Sequence, residues 1–480
     1  MEFFLLTHKY LKKLTSSSFR SSLWKDLKEA LAGTDKDFTS IGLGKAIFLL
    51  SVPMVLEMLM ESVFAVVDIF FVARLGAEAV AIVGITESLM TIVYAVAAGL
   101  SIATTAIVSR RIGEKKPDKA AFSAFQAIVT GFMFSAIIGI PGILFPRELL
   151  KLMGSSQSMI ETGYIYPMII FGSNLIVMLL FIINAIFRSS GDAAVSMRVL
   201  LFANIINIIL DPCLIFGLGP FPELGIKGAA LATAIGRGLA VIYQIYLLFY
   251  GNKRIQLKLP HLRISFPLIG KLIRLSIGGI GQNLIATSSW VVMVRIISEF
   301  GSNAVAGYTI GIRILIFTLL PSWGLANAAG TLVGQNLGAR KPDRAEKSVY
   351  TSALLNTFVL GVFAILFISN PGYYIGIFTK EPEVLYAGSI CLRTISYGYL
   401  FYAFGMVMVQ AFNGAGDTIT PTWINLICFW VIEIPLAYLL AIPFGFNEKG
   451  VYFAIVISES LLAISALFLF TRGRWKKSMV

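Results

Sequence analysis

The sequence is poor in charge. Asp, Glu, Lys and Arg make up 14% of its 480 residues, against 57% hydrophobic, and mean hydropathy is +0.82. A soluble domain needs far more charge to cover its surface, so a water-soluble fold is excluded. Cysteine is scarce too. Cys213, Cys391 and Cys428 all fall within apolar segments and form no C-x-x-C pair, which excludes a disulfide framework and a zinc site. The two histidines, His8 and His261, lie in basic polar stretches, so no histidine proton relay crosses the apolar segments. There is no P-loop, no metal-binding His/Glu cluster and no nucleophile elbow. The chain is not read as an enzyme, no residue is assigned a catalytic role, and no cofactor is expected. Energy for any work it does must come from an ion gradient.

What is present is apolar sequence in runs of 20 residues or more. Each run is long enough to cross a hydrocarbon layer roughly 30 Å thick as a helix. Twelve spans are predicted, over 46–73, 79–108, 121–145, 163–187, 197–217, 228–250, 270–297, 304–333, 348–369, 388–412, 421–443 and 450–471. An even number places both termini on one side.

Residues 1–45 precede the first span, and eight of them are Lys or Arg: Lys9, Lys12, Lys13, Arg20, Lys25, Lys28, Lys36 and Lys45. A cleavable signal is not expected, because no short apolar core is followed by a small-residue cleavage site. The stretch "FRSSLWKDLKEAL" reads as an amphipathic helix on an anionic leaflet or as a solvated tail. The connections at 109–120, 251–269 and 334–347 and the tail beyond 471 are rich in Lys and Arg, unlike the opposite loops. This asymmetry assigns the N-terminal side to the cytoplasm. It also explains the net charge of +13 without a nucleic acid partner. The expected partners are the bilayer and small organic substrates, and the expected state is a monomer.

The loop "GEKKPDKAA" at Gly113 recurs as "GARKPDRAE" at Gly338, 225 residues on. The same offset relates Leu50-Ser51 to Leu275-Ser276, "GAEAVA" at Gly76 to "GSNAVA" at Gly301, Gly99-Leu100 to Gly324-Leu325, and Gly191-Asp192 to Gly416-Asp417. The chain is therefore a duplication, with an N-lobe at 46–250, a linker at 251–269, a C-lobe at 270–471 and a tail at 472–480. Six spans per half is an even number, so the two halves enter the membrane in the same direction. The expected fold is an all-α integral membrane protein, twelve transmembrane helices in two six-helix bundles. A pseudo-two-fold axis along the membrane normal relates the bundles. Two such bundles enclose a cleft, the architecture of an alternating-access transporter. Pro-Asp in each repeated loop is expected to start the next helix.

A charge within the bilayer costs at least about 2.5–3.5 kcal/mol and marks a candidate site. The first span holds Glu57, Glu61 and Asp68, with spacings of four and seven that place them on one helix face. Three stacked carboxylates repel, so at least one is expected to be protonated or bound to a cation. Glu57 and Glu61 lie nearer the N-terminal end and are expected to be partly solvated. The fifth span, "FANIINIILDPCLIFG", aligns Asn204, Asn207 and Asp211 on one face. Pro53 and Pro212 are predicted kinks and candidate hinges. Two carboxylates and two amides form an oxygen-rich pocket suited to a proton or Na⁺ at Asp68, Asn207 and Asp211. Thr233 adds a hydroxyl from the sixth span. Asn204 reads equally as a bond between helices. At the 225 offset Glu57, Asp68 and Asp211 become Gln282, Met293 and Leu436, so the cation chemistry is concentrated in the N-lobe. Glu433 is the main acid of the other half, while Arg237, Arg313 and Glu459 read as structural pairs.

Jointly, the two halves, the G-x-x-K-P-D loops, "SSGD" and "GAGDT" after spans four and ten, and "NIILDP" resemble the multidrug and toxic compound extrusion (MATE) family over residues 46–471. Within it the chain is similar to the prokaryotic DinF-like branch. The resemblance implies a cation site at Asp68, Asn207, Asp211 and Thr233 and a bending first helix at Pro53. The NorM-like branch uses acids in helices seven and ten. Here those helices offer Gln282, Asn283, Tyr402 and Gln410 instead. Glu57, Glu61, Asn204, Glu433, Gln282 and Tyr402 remain additional coupling or substrate candidates. The implied function is H⁺- or Na⁺-coupled antiport of amphipathic, cationic organic compounds. Two other readings stay open: a flippase for a lipid-linked saccharide, and a non-transporting membrane sensor or scaffold.

Overall fold

A computed structural model describes residues 17–251 and 254–478, with only the backbone course given for 17–22. His8, Lys9, Lys12 and Lys13 lie outside the described residues, as does the side chain of Arg20. Every regular element among the described residues is helical. Helix α1, Ser17–Ala32, precedes the spans. Then follow α2 (Leu43–Val72), α3 (Ala77–Gly113), α4 (Pro117–Leu144), α5 (Ile165–Ser190), α6 (Ala193–Phe216) and α7 (Ile226–Tyr250). The second half holds α8 (Phe266–Ile297), α9 (Ser302–Gly338), α10 (Pro342–Ser369), α11 (Pro382–Ser396 and Tyr399–Ala415), α12 (Ile419–Ala441) and α13 (Glu448–Thr471). Ten of these are continuous apolar helices long enough to span, and α11 is a pair bent by 55°. With α2, whose 30 residues reach about 45 Å, they make the expected twelve.

Local chemistry sets the helix starts. Pro117 and Pro342 occupy the first helical turns of α4 and α10, followed by Asp118 and Asp343, as the repeated loop predicts. Lys115 and Arg340 take matching left-handed φ values of 58° and 57° in the two loop copies. Pro53 and Pro212 lie inside helices that continue through them, so neither proline breaks its helix. One irregularity had no signal in the sequence: the stretch Leu426–Glu433 inside α12 winds as a π-helix.

Buried apolar residues form one core between Val72 and Leu272 and another between Met293 and Trp475. The duplication shows in how the halves meet. A Cβ on Gly99 of α3 would fall 2.8 Å from the Ser276 carbonyl of α8. Its counterpart Gly324 of α9 would meet the Met54 carbonyl of α2 at 2.7 Å. Each lobe thus lays its second helix on the other lobe's first, and glycine permits the backbone approach. These contacts, with those at Gly113, Gly334 and Gly338, all fall in the half of the bundle nearest the termini. Between the lobes lies a cavity of about 770 Å³.

Candidate functional site

The cavity is walled by both lobes, with Glu57, Glu61, Asp68, Glu87, Arg188 and Arg237 on one side and Gln282, Trp323, Tyr402, Phe429 and Glu459 on the other. Its charged residues are therefore five acids and two arginines.

Where Asp68 and Thr233 line the N-lobe wall, α2, α6 and α7 bring four predicted residues together, with Asn207 and Asp211 buried behind that wall. Asn207 Nδ2 donates to Asp211 Oδ1 at 3.1 Å and reaches Thr233 Oγ1 at 3.5 Å. Thr233 in turn neighbours Asp68, and Asp68 and Asp211 interact electrostatically. Helix spacing explains the pair within α6, because residues four apart lie on one face. The set has spare acceptors. Asp68 Oδ1, Asn207 Oδ1 and Asp211 Oδ2 are buried and receive no hydrogen bond. Three such oxygens are costly unless a proton, a cation or water satisfies them. Tyr166, fully enclosed beside both acids, is a neighbour that the sequence reading missed, since an uncharged tyrosine in an apolar span carries no signal.

Of the other acids of α2, Glu57 departs from expectation and Glu61 stays partly exposed. Glu57 is only 1% exposed rather than partly solvated. Arg188 Nη1 donates to its Oε1 at 2.9 Å. Glu61 is half-buried and lies 3.9 Å from Arg237, whose guanidinium stacks 4.5 Å over Phe64. The predicted repulsion of three stacked carboxylates is thus offset by two arginines from other helices. Arg188 falls just past the predicted end of span four and was overlooked there. Glu87 in α3 is a further wall acid that its place inside a predicted span should have flagged.

Several remaining candidates are held by structural contacts. Asn204 donates to the Met60 carbonyl at 2.8 Å, the helix-bonding alternative. Gln282 exchanges hydrogen bonds with Asn413 at 3.1 Å and donates to the Thr418 carbonyl at 3.0 Å. Glu433 is buried behind the wall, 3.4 Å from Ser458 Oγ, and Tyr402 lines the cavity and bonds to Glu459. The pairing expected for Arg313 does not occur: it is exposed and makes no ion pair among the described residues.

Duplicated six-helix lobes around a shared cavity do not by themselves name a family, and sequence comparison decides it. A family model described as MatE matches residues 53–213 and 280–439, most of both lobes. The chain belongs to the MatE family. MATE proteins are multidrug efflux transporters, and the relatives of this chain carry transporter names. It is 25% identical to "Probable multidrug resistance protein YoeA" of Bacillus subtilis over 465 residues, covering 94% of this chain and 98% of the relative. It is 26% identical to "FAD transporter" of Shewanella oneidensis, covering 90% and 95%. Solved MATE structures share the fold. One in the straight conformation superposes with a TM-score of 0.85 at 24% identity, covering 92% of this chain and 98% of that one. An outward-facing multidrug resistance MATE transporter gives 0.85 at 23% identity, covering 92% and 97%. This MATE chain is accordingly a multi-pass membrane transporter.

Proposed function

We propose that this MATE protein is a cation-coupled antiporter that exports amphipathic, cationic organic compounds by alternating access, with both termini in the cytoplasm and the monomer as the working unit. The observation that carries the reading is the cluster of buried acceptors without donors at Asp68, Asn207 and Asp211, of which Asp68 lines a cavity with an excess of acids. A proton or Na⁺ entering from outside satisfies those oxygens. The amide of Asn207 and hydroxyl of Thr233 complete an oxygen set suited to a hard cation. Neutralising Asp68 and Asp211 removes their mutual repulsion. It lets α2 reseat around Pro53, where the ring leaves one helix hydrogen bond unmade. The cavity then changes shape and releases its cargo outward.

Inward movement of one charge yields roughly 2.3 kcal/mol per 100 mV, enough for about 50-fold accumulation. The cavity wall supplies Met, Phe, Tyr and Trp side chains, an adaptable apolar surface for a range of substrates. Its acid excess disfavours the pyrophosphate of a lipid-linked saccharide, the flippase alternative. A sensor or scaffold leaves the unsatisfied acceptors without a purpose.

The test is uptake of a fluorescent organic cation into proteoliposomes with ΔpH and ΔNa⁺ imposed separately. Transport that follows one gradient names the coupling ion. Undiminished gradient-driven transport in Asp68→Asn and Asp211→Asn would overturn the site.

A further inference from the structure

The end of the bundle that carries the termini is crossed by a strap that belongs to neither duplicated half. It runs from Gly33 to Ile41, between α1 and α2. Its backbone carbonyls are taken by cationic side chains from separate places in the fold. Lys341 Nζ donates to the Thr39 carbonyl at 2.9 Å, and Arg344 Nη2 donates to the Phe38 carbonyl at 3.1 Å and to that of Ile41. Both cations come from the C-lobe loop copy and the first turn of α10. Arg254, in the linker between lobes, donates to the carbonyls of Thr34 at 2.8 Å and Lys36 at 2.6 Å. It also holds the N-lobe, through the Ser190 carbonyl at 3.1 Å, and stacks 5.0 Å over Phe38. From the N-lobe loop copy, Lys115 approaches Asp37 at 3.6 Å. Phe38 itself is 1% exposed, sealed where these elements meet.

This pattern is not that of a solvated tail. Charged hydrogen bonds and an ion pair converge on one short segment, and they come from both lobes and from the linker between them. Hydrogen bonds from a charged donor are stronger than neutral ones, and a segment held by both lobes opposes their separation. Beneath the strap the lobes touch directly. A Cβ on Gly113 would lie 2.0 Å from the Gln335 carbonyl, and one on Gly338 2.2 Å from the Arg110 carbonyl. Gln335 also crosses to the N-lobe, donating to the Ser189 carbonyl at 2.8 Å.

We propose that the strap Gly33–Ile41 is a latch that holds this end of the transporter shut, and that it must let go of Lys341 and Arg344 each time the cavity opens towards the termini. The proposal rests on the alternating-access reading above and adds the element that sets its resting state. It also accounts for the two repeated basic loops, since each copy grips the same strap from its own lobe. Because the strap occurs once in a duplicated molecule, it biases the gate without being part of the symmetric machinery.

The test is a distance measurement across the gate. Spin labels at Lys119 and Lys347, exposed positions on α4 and α10, report the separation of the two lobes in the full-length protein in liposomes. The double variant Lys341→Ala/Arg344→Ala removes the C-lobe grip, and Asp37→Asn is a milder change that keeps the fold. The double variant is expected to raise the open-to-shut ratio on the order of tenfold, and Asp37→Asn less. Export should fall in both as the shut state is depleted. A wild type that opens normally and a double variant with the same distance distribution would overturn the latch alone. A label pair that never separates in any variant or gradient would overturn the latch together with the alternating-access reading.

Discussion

Gly113 and Gly338 are sequence counterparts, and each rests on the other lobe's helix. Gly113 faces the carbonyl of Gln335, and Gly338 faces that of Arg110, the counterpart of Gln335 at the same offset. The pair closes the bundle on its pseudo-two-fold axis.

Adding a side chain there should pry the gate apart. A Cβ at about 2 Å from a backbone oxygen demands a backbone shift, because no flexible side chain can yield. Gly113→Ala and Gly338→Ala are each expected to lower the shut population, read as increased distance between labels at Lys119 and Lys347. Equal distributions in wild type and variants would contradict the contact.

Glu57 and Arg188 form a buried pair, so losing one partner should cost more than losing both. Arg188→Met strands a carboxylate and is expected to destabilise by roughly 3–5 kcal/mol. Glu57→Gln/Arg188→Met should recover most of that loss. Thermal unfolding in detergent across the four-member cycle measures the coupling.

Asp211→Asn should separate function from stability. It removes a buried carboxylate whose Oδ2 has no donor, so thermal stability is expected to hold or rise. Gradient-driven accumulation should fall from roughly 50-fold towards none. A variant that loses stability in step with activity would point to a structural role instead.

Gln282→Ala predicts the reverse. Gln282 ties α8 to Asn413 and Thr418, so its loss is expected to cost about 1–3 kcal/mol while ion coupling survives. Transport per folded molecule, set against the thermal midpoint, checks both halves of the statement.

Glu29 gives the region around the latch an acid-labile anchor. Burial alone would raise its pKa. Hydrogen bonds from Lys36, Lys45 and Thr34 outweigh that and hold it at about 2, below its ordinary 4.5. Its folded pKa is depressed, so its contribution is fully present above pH about 4.5 and is lost as pH falls through about 2. Wild-type stability should drop over that window more steeply than that of Glu29→Gln, and high salt should shrink the difference.

The spans, the duplication and the acids of α2 and α6 were legible in the sequence because they depend on local rules. A bilayer demands long apolar helices, and a fixed offset survives in glycines and loop signals. Helical spacing alone places Asn207 and Asp211 on one face. The partners of those acids were not legible. Arg188 reaches Glu57 from 131 positions away in the chain, and Arg237 reaches Glu61 from another helix. Spacing within one span says nothing about which cations face it. The same limit made Glu57 look solvated when it is sealed. It left Tyr166 unnoticed and assigned Arg313 a partner it lacks among the described residues.

The sequence by itself therefore determined the membrane class, the two lobes and the acids that must be accounted for, because hydropathy, periodicity and repetition are written along the chain. The tertiary structure decided which acids pair with arginine and that Asp68 and Asp211 gather with Asn207 and Thr233. It also set Lys115 of the charged loop at Gly113 beside Asp37 of the N-terminal strap. Charge compensation and gate closure depend on distances between residues far apart in the chain, and only packing sets those distances.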